Sequence, residues 1–571
     1  MFRTPLPPDS GGLASASWDD IAGWYEDLAT AELTETSRAE WLASWSRLDE
    51  LVTEAASLAM IAYTSDTADT AKGKAHLRFS TEILPRLEEK EVALARRFVA
   101  IGTDDPDLAT VLRRFRTAID LFREANVPLV AEAEGLAAKY QQVSGGMTAE
   151  WQGERVPLPR LSPFLKSTDR DTREAAWRAG VAPYVEARAE LAGVFDRMVE
   201  LRQRMARNAG FTDYRDYIFV AKGRFDYTPA DTERLHAAIE EKVVPAVERV
   251  LVQRRERLDL LVLRPWDTAV DPWRVDAAKP YRDIDELKTQ AARIFTEIEP
   301  TLGSQFRLMM TEGLLDLESR PGKAPGGYCD TLHARGRPFV FMNAAGIPED
   351  VMTLMHEAGH CFHAFASHER PLIWQRHPGA ESAELASMSM ELLASPFLVR
   401  PTGYYAEADA VSARLEHLED LLVALAHIAS VDAFQSWIYT DPSGSDAVAR
   451  DEAWLRIRGR FEQGIDWEGL RVERVARWYR QLHIFLYPFY YIEYAIAQIG
   501  ALQVWRNTRQ DPVKAVAAYR RFLALGATRP LPELYRAAGV DLSFEADMLG
   551  DLVTMVEEEM EMLRGELQSL T

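Results

Sequence analysis

Cysteine is almost absent from this chain: Cys329 and Cys361 are the only two in 571 residues. That excludes a small secreted scaffold stapled by disulfides. Positive charge is also in deficit, with 66 Lys and Arg against 88 Asp and Glu and a net charge of −22. A surface of that sign repels phosphate backbones and anionic lipid, so the expected partners include neither nucleic acid nor membrane. No apolar run approaches the roughly 20 residues of a transmembrane helix. Residues 1–10, MFRTPLPPDS, lack the apolar core of a signal peptide. A cytoplasmic location is the expectation. There is no tandem repeat and no low-complexity tract. What is abundant is core material: 47% of residues are hydrophobic and 14 are Trp, enough to fill two or more lobes.

Residues 1–20 are rich in Pro, Gly and Ser and read as an extended N-terminal arm. From Trp18 to about Ala137 the pattern is helical, and residues 21–200 are expected to form an α-helical N-terminal lobe. Within it, Ala138–Val143, Thr148–Gln152 and Arg155–Leu158 alternate apolar and polar residues between turn residues, and read as a small antiparallel meander. Thr228, Pro229 and Asp231 predict a capped helix start. Near residue 320 the pattern changes. Arg320–Leu332 and Arg337–Asn343 read as two strands joined by His333–Gly336. After Glu391 the chain is helical to its end.

The second of those strands leads into Met352–Phe365, whose centre is His356-Glu357-Ala358-Gly359-His360. Two imidazoles four residues apart project from one face of a helix and can share one metal ion. This is the HExxH zinc signature, and composition alone predicts only about 0.03 chance matches in such a chain. Pro348 suits a first helical position, and Glu349 and Asp350 suit the positive end of the helix. Val351, Leu354, Met355, Ala358, Cys361, Phe362 and Phe365 form an apolar stripe. Cys361 therefore reads as a packed thiol rather than a ligand.

A catalytic zinc takes three protein ligands and keeps a fourth position open. The metzincin pattern is excluded, because His363 and Ala366 stand where it needs Gly and His. The thermolysin and aminopeptidase spacings are excluded too, because Ala380 and Gly379 stand where they need Glu. The next acids are Glu381 and Glu384, in a second helical stretch. Glu384, 24 residues beyond His360, is the selected third ligand, with Glu381 as the alternative. His363 lies some 10 Å along the helix from His356, which suits packing better than ligation. Glu391, two turns beyond Glu384, is placed to orient a ligand histidine or to be solvated.

HExxH followed by Ala383-Glu384-Leu385-Ala386-Ser387 resembles the M3 metallopeptidases, in particular the oligoendopeptidase F branch with its Pz-peptidase-like members. The stretches Asp169–Trp177 and Asn208–Tyr217 resemble the same family. The resemblance implies a mainly α fold: two helical lobes flanking a deep substrate channel, with small antiparallel β elements near the site and in the N-terminal lobe. Residues 201–571 would be the catalytic domain. One zinc per chain would be held by His356, His360 and Glu384, with its water acidified to a pKa of roughly 7 and Glu357 taking the proton.

A strand matching Gly326, Gly327 and Tyr328 would bind substrate backbone by strand addition. His483, Tyr491 and Tyr494, with Tyr487 against the substrate, match the family's downstream His and Tyr that stabilise the oxyanion. Pro488 stands in this segment where the family's animal members carry Gly. The implied activity is hydrolysis of internal bonds in short, unstructured oligopeptides, by a monomer or dimer. A carboxypeptidase or dipeptidyl carboxypeptidase of the same fold is the enzymatic alternative. A peptide-binding protein with a structural zinc is the non-enzymatic one.

Overall fold

A computed structural model of the chain describes residues 1–273 and 279–570. The fold is mainly α with two small sheets. It divides into two compact units: Met1–Phe122 with Ala278–Ala410 and Ala497–Leu542, and Arg123–Ala277 with Val411–Ile496 and Ser543–Thr571.

The first unit opens with helices Trp18–Thr30, Arg38–Ser65, Leu84–Ile101 and Ala109–Leu121. Ser17 and Asp20 close a reciprocal cap on the first of these. The helices bury Trp41, Trp45, Leu48, Leu51, Phe98 and Phe115 in one core. Trp45 stacks on Phe115 with ring centroids 5.0 Å apart. The N-terminal residues fold back on this core: Leu13 is buried, and Ser10 donates to the buried carboxylate of Glu54.

The same unit holds a three-stranded sheet of β3 (Leu315–Glu318), β4 (Tyr328–Leu332) and β5 (Arg337–Ala344), in the order β3-β5-β4. Of the two predicted strands, the second is β5, whereas only Tyr328–Leu332 of Arg320–Leu332 is strand, as β4; the two pair antiparallel from Tyr328 opposite Phe341 to Leu332 opposite Arg337. β3, parallel to β5, was not anticipated. Its four residues are too few for alternation to rise above the helical text around them. β5 is central and buries Phe339 to Met342, which leaves β4 at the sheet edge. The Ala345–Ile347 turn then starts the helix Pro348–Ser367. The Asp350 carboxylate accepts the N–H groups of Ala345, Gly346 and Ile347 at 2.8–2.9 Å and also the Tyr281 hydroxyl. One acid thus fixes the angle at which strand passes into helix.

Among the described residues, the second unit's strands are β1 (Thr148–Trp151) and β2 (Glu154–Pro157), and its other regular elements are helices. These form a hairpin through Gln152 and Gly153, both at positive φ as a tight turn requires. The expected third member of that meander, Ala138–Val143, instead lies in the helix Val127–Gly145. Six residues fit either period; Ala, Lys and Gln favour the helix, and Tyr140 is buried, its hydroxyl donating to the Tyr479 carbonyl at 3.0 Å.

Thr228 caps its helix with Asp231 as read, and Pro229 is the first helical residue. The Asp169–Trp177 text also has a local reason. Asp169 caps the helix Arg170–Glu186, and Arg170 and Arg173 both grip the buried Asp267 at 2.7 and 2.9 Å. The helix Glu407–Thr440 is apolar enough by composition to cross a membrane, against the sequence expectation, but 72% of its apolar window is buried inside the protein.

A buried ion cluster in this unit yields a stability prediction. Glu462 meets Arg458 at 2.9 Å, Arg477 at 2.5 Å and Arg474 at 3.3 Å, with its side chain 5% exposed. Burial would raise its carboxyl, but the three guanidinium groups outweigh that and hold it at about 2. Burial also pulls Arg458 down, yet a guanidinium stays charged at any ordinary pH, so the carboxylate's shift is the meaningful one. The folded value is below the ordinary 4.5. The stabilisation is therefore complete above about pH 4.5 and is lost as pH falls towards 2. Glu462→Gln, which leaves three cations unpaired, is expected to cost about 3 kcal/mol at neutral pH. In urea unfolding the gap between parent and variant should narrow below pH 4.5; a pH-independent gap would rule out the ion cluster as its source.

Candidate active site

The helix Pro348–Ser367 packs along the helix Ala380–Ala394. Gly359 is the point of closest approach: a Cβ there would lie 2.5 Å from the Cα of Ser387 and 2.7 Å from the Ala386 carbonyl oxygen. The glycine within the HExxH core thus lets the backbone carrying both histidines reach the backbone carrying Glu384. Ala386 leaves room in the same contact, and its carbonyl accepts the Tyr519 hydroxyl at 2.8 Å. Ser387 Oγ donates to the Glu384 backbone at 3.0 Å and lies 3.1 Å from Glu384 Oε2, which fixes the carboxylate's direction. Glu384, Ala386 and Ser387 of the Ala-Glu-x-Ala-Ser stretch thereby each have a structural part.

These contacts bring Glu384 Oε2 to 3.3 Å from His356 Nε2 and 3.7 Å from His360 Nε2. One donor atom from each of the three side chains lies within 4.8 Å of the others. Bonds of about 2.0–2.1 Å in a tetrahedral zinc site put ligand atoms roughly 3.3 Å apart, so the donor set fits zinc in type and in span. Glu381, the alternative ligand, is buried outside this triad.

Glu391 takes the orienting role: its Oε1 lies 2.6 Å from His356 Nδ1, which leaves Nε2 facing the triad. Burial works against a charged His356, but hydrogen bonds to Glu384 and Glu391 prevail and raise its imidazole well above the usual range. Burial pulls the His360 imidazole down to about 4. Replacing Glu391 with Gln is expected to weaken zinc binding about 10–100-fold, measured by competition with a chelating dye; unchanged affinity would remove Glu391 from the metal site.

Glu357 is buried to 8% exposure beside these ligands. Burial lifts its carboxyl to about 7, against the opposing pull of His356. His363 is not a ligand; it is buried against Phe522, with ring centroids 5.4 Å apart.

Gly326, Gly327 and Tyr328 lie where the chain enters the edge strand β4. Gly326 needs its positive φ of 100°, and its carbonyl accepts from Asn343 at 2.9 Å. Tyr328 stacks on Phe341 and its hydroxyl meets Thr64 at 2.6 Å. Its side chain therefore braces the strand.

Within the second unit, the short helix Leu482–Leu486 and the start of the helix Tyr491–Gln510 gather the remaining candidates. The His483 ring centroid lies 4.9 Å from Tyr491, 5.9 Å from Tyr487 and 6.2 Å from Tyr494. Tyr490 joins them at 5.7 Å, a member the sequence reading did not select because three-residue spacing favoured its neighbours. The Tyr491 hydroxyl donates to Gln481 at 3.1 Å. Pro488 and Phe489, the latter at φ 61°, turn the chain between the two helices. Gln435 accepts the Phe489 N–H at 2.9 Å, and buried Arg224 donates to the Phe489 carbonyl and to Glu493.

The fold and the sequence are similar to those of known proteins. A solved structure of PZ peptidase A with an inhibitor superposes with a TM-score of 0.87 at 25% identity, covering 98% of each chain. The oligoendopeptidase F homolog of Borreliella burgdorferi is 24% identical over 43% of this chain and 42% of its own length. The chromosomal oligoendopeptidase F of Lactococcus lactis subsp. cremoris is 21% identical over 68% of this chain and 64% of its own. The chain thus spans less than two thirds of the length of these curated relatives. Residues 164–554, a stretch that contains the triad, Glu357 and the His483 segment, match the profile of peptidase family M3, and the chain belongs to that family.

Proposed function

We propose that this protein is a zinc-dependent endopeptidase that hydrolyses internal bonds of short, unstructured oligopeptides. The observation that carries the reading is the convergence of His356, His360 and Glu384, with buried Glu357 directly after His356 in the chain. Zinc held there supplies a Lewis acid that polarises the scissile carbonyl and acidifies water. The rest is done by side chains. His356, His360 and Glu384 hold the ion, and Glu391 keeps the His356 ring aligned. A Glu357 carboxylate oxygen takes a proton from the attacking water and returns it to the leaving amine, so the residue ends each cycle as it began.

Backbone groups of Gly326, Gly327 and the edge strand β4 are assigned to bind the substrate's backbone by strand addition, a sequence-tolerant mode. His483, Tyr491 and Tyr494 are assigned as hydrogen-bond donors to the oxyanion, and Tyr487, 54% exposed, to substrate contact. All of these residues fall within 201–571, the segment assigned to catalysis. Tyr494→Phe removes one donor and is expected to lower kcat about 10²–10³-fold with little change in KM. A proportional rise in KM with kcat intact would move Tyr494 to ground-state binding.

The reading is tested with a ten-residue peptide blocked at both ends, incubated with the zinc-loaded protein and analysed by mass spectrometry. Internal cuts are expected. Trimming confined to peptides with a free C-terminus would replace this reading with a carboxypeptidase; binding without any cleavage would favour a peptide-binding protein.

A further inference from the structure

The chain's only two cysteines lie 32 positions apart, and the fold brings them into contact, with Cys329 Sγ 3.6 Å from Cys361 Sγ. Cys329 is on the edge strand β4, opposite Val340 of β5, and is partly exposed. Cys361 is fully buried on the HExxH helix, directly after His360. A disulfide needs sulfurs about 2.05 Å apart, so the pair closes by roughly 1.6 Å of side-chain movement. Random placement of two thiols in a chain this long would rarely produce such a contact. Nothing in the proposed hydrolysis uses either sulfur.

We propose that Cys329 and Cys361 are a reversible oxidation site: peroxide converts them to an intramolecular disulfide that ties β4 to the HExxH helix. The chemistry balances with hydrogen peroxide as the named oxidant. Cys329, the less buried of the two residues, attacks one peroxide oxygen, although the adjacent Cys361 and burial raise its thiol well above the usual range; the O–O bond breaks, and the departing hydroxide leaves as water with the thiol proton. Cys329 is then a sulfenic acid. The Cys361 sulfur attacks the Cys329 sulfur, the S–O bond breaks, and the second hydroxide leaves as water with the Cys361 proton. Two thiols are oxidised by one electron each and one peroxide is reduced to two waters.

The experiment uses the zinc-loaded full chain treated with hydrogen peroxide, with free glutathione in a parallel tube as a control for oxidant strength. Thiols titrated in denaturant are expected to fall from two to none. Non-reducing peptide mapping should give one linked pair containing Cys329 and Cys361, and dithiothreitol should restore both thiols. In Cys361→Ser the remaining Cys329 should be trapped by dimedone as a sulfenic acid, whereas in Cys329→Ser the buried Cys361 should stay a thiol. Two surviving thiols in the parent after the glutathione is consumed, sulfinic acid on either cysteine in place of the linked pair, or a disulfide between two chains would each overturn the inference. Equal oxidation of Cys361 in Cys329→Ser would overturn the assigned order of attack.

Discussion

Glu357→Gln is expected to lower hydrolysis of a blocked oligopeptide by about 10³-fold, the largest single effect on activity. The amide has the shape of the carboxyl it replaces, so the buried volume is kept, but it cannot take a proton from water. The zinc ligands are untouched. Zinc content by atomic absorption should stay at one per chain, and the unfolding midpoint should match the parent within a small shift. That combination separates loss of the base from loss of the metal, which His360→Ala or Glu384→Ala would cause. A Gln variant that keeps a tenth or more of the parental rate, with zinc bound, would mean that some other group handles the proton.

The second large effect is structural and falls on Gly359. A methyl group at this position would have to occupy space 2.5 Å from the Ser387 Cα and 2.7 Å from the Ala386 carbonyl oxygen. Both are backbone atoms, which no rotamer change can move aside. Gly359→Ala is therefore expected to cost about 3 kcal/mol or more, despite alanine's higher helix propensity. Because the two helices must part to admit it, the His356–Glu384 separation should widen and zinc affinity should fall together with stability. Gly193, in the helix Arg188–Asn208, is the control: a Cβ there meets nothing within 4 Å. Gly193→Ala should gain roughly 0.5–1 kcal/mol. Urea unfolding of the two variants decides the matter, since equal effects would show that helix propensity and not the interhelical contact sets the Gly359 response.

Residue types and spacing singled out the three candidate ligands that the fold brings together. A four-residue interval puts two side chains on one helical face irrespective of what surrounds the helix, so His356 and His360 were legible at once. Eliminating the competing spacings left Glu381 and Glu384, and the resemblance of Ala383–Ser387 to the family motif favoured Glu384. Glu391 was weighed as either an orienting or a solvated group; its 2.6 Å contact with His356 Nδ1 depends on how two helices pack, which periodicity does not report. The His483 segment shows the opposite balance. Its aromatic density marked it, but the grouping of His483 with Tyr490, Tyr491 and Tyr494 depends on the turn at Pro488 and Phe489. Short elements were the hardest to read. β3 was missed and Ala138–Val143 was read as strand, because four to six residues satisfy a period of 2 and a period of 3.6 almost equally.

By itself the sequence determined what local chemistry and periodicity can determine: a mainly helical chain, the helix bearing HExxH, the capped start at Thr228, the strands leading into that helix, and three candidate metal ligands whose donor atoms the fold brings together. Only the tertiary structure decided which groups meet across distant positions: Gly359 against Ser387, Glu391 on His356, the three arginines around Glu462, and the two thiols at 3.6 Å. The physical reason is common to all four. Spacing along one helix or strand is set by the backbone's own geometry, whereas contacts between elements are set by close packing of whole surfaces, and that is a property of the folded chain rather than of any segment of it.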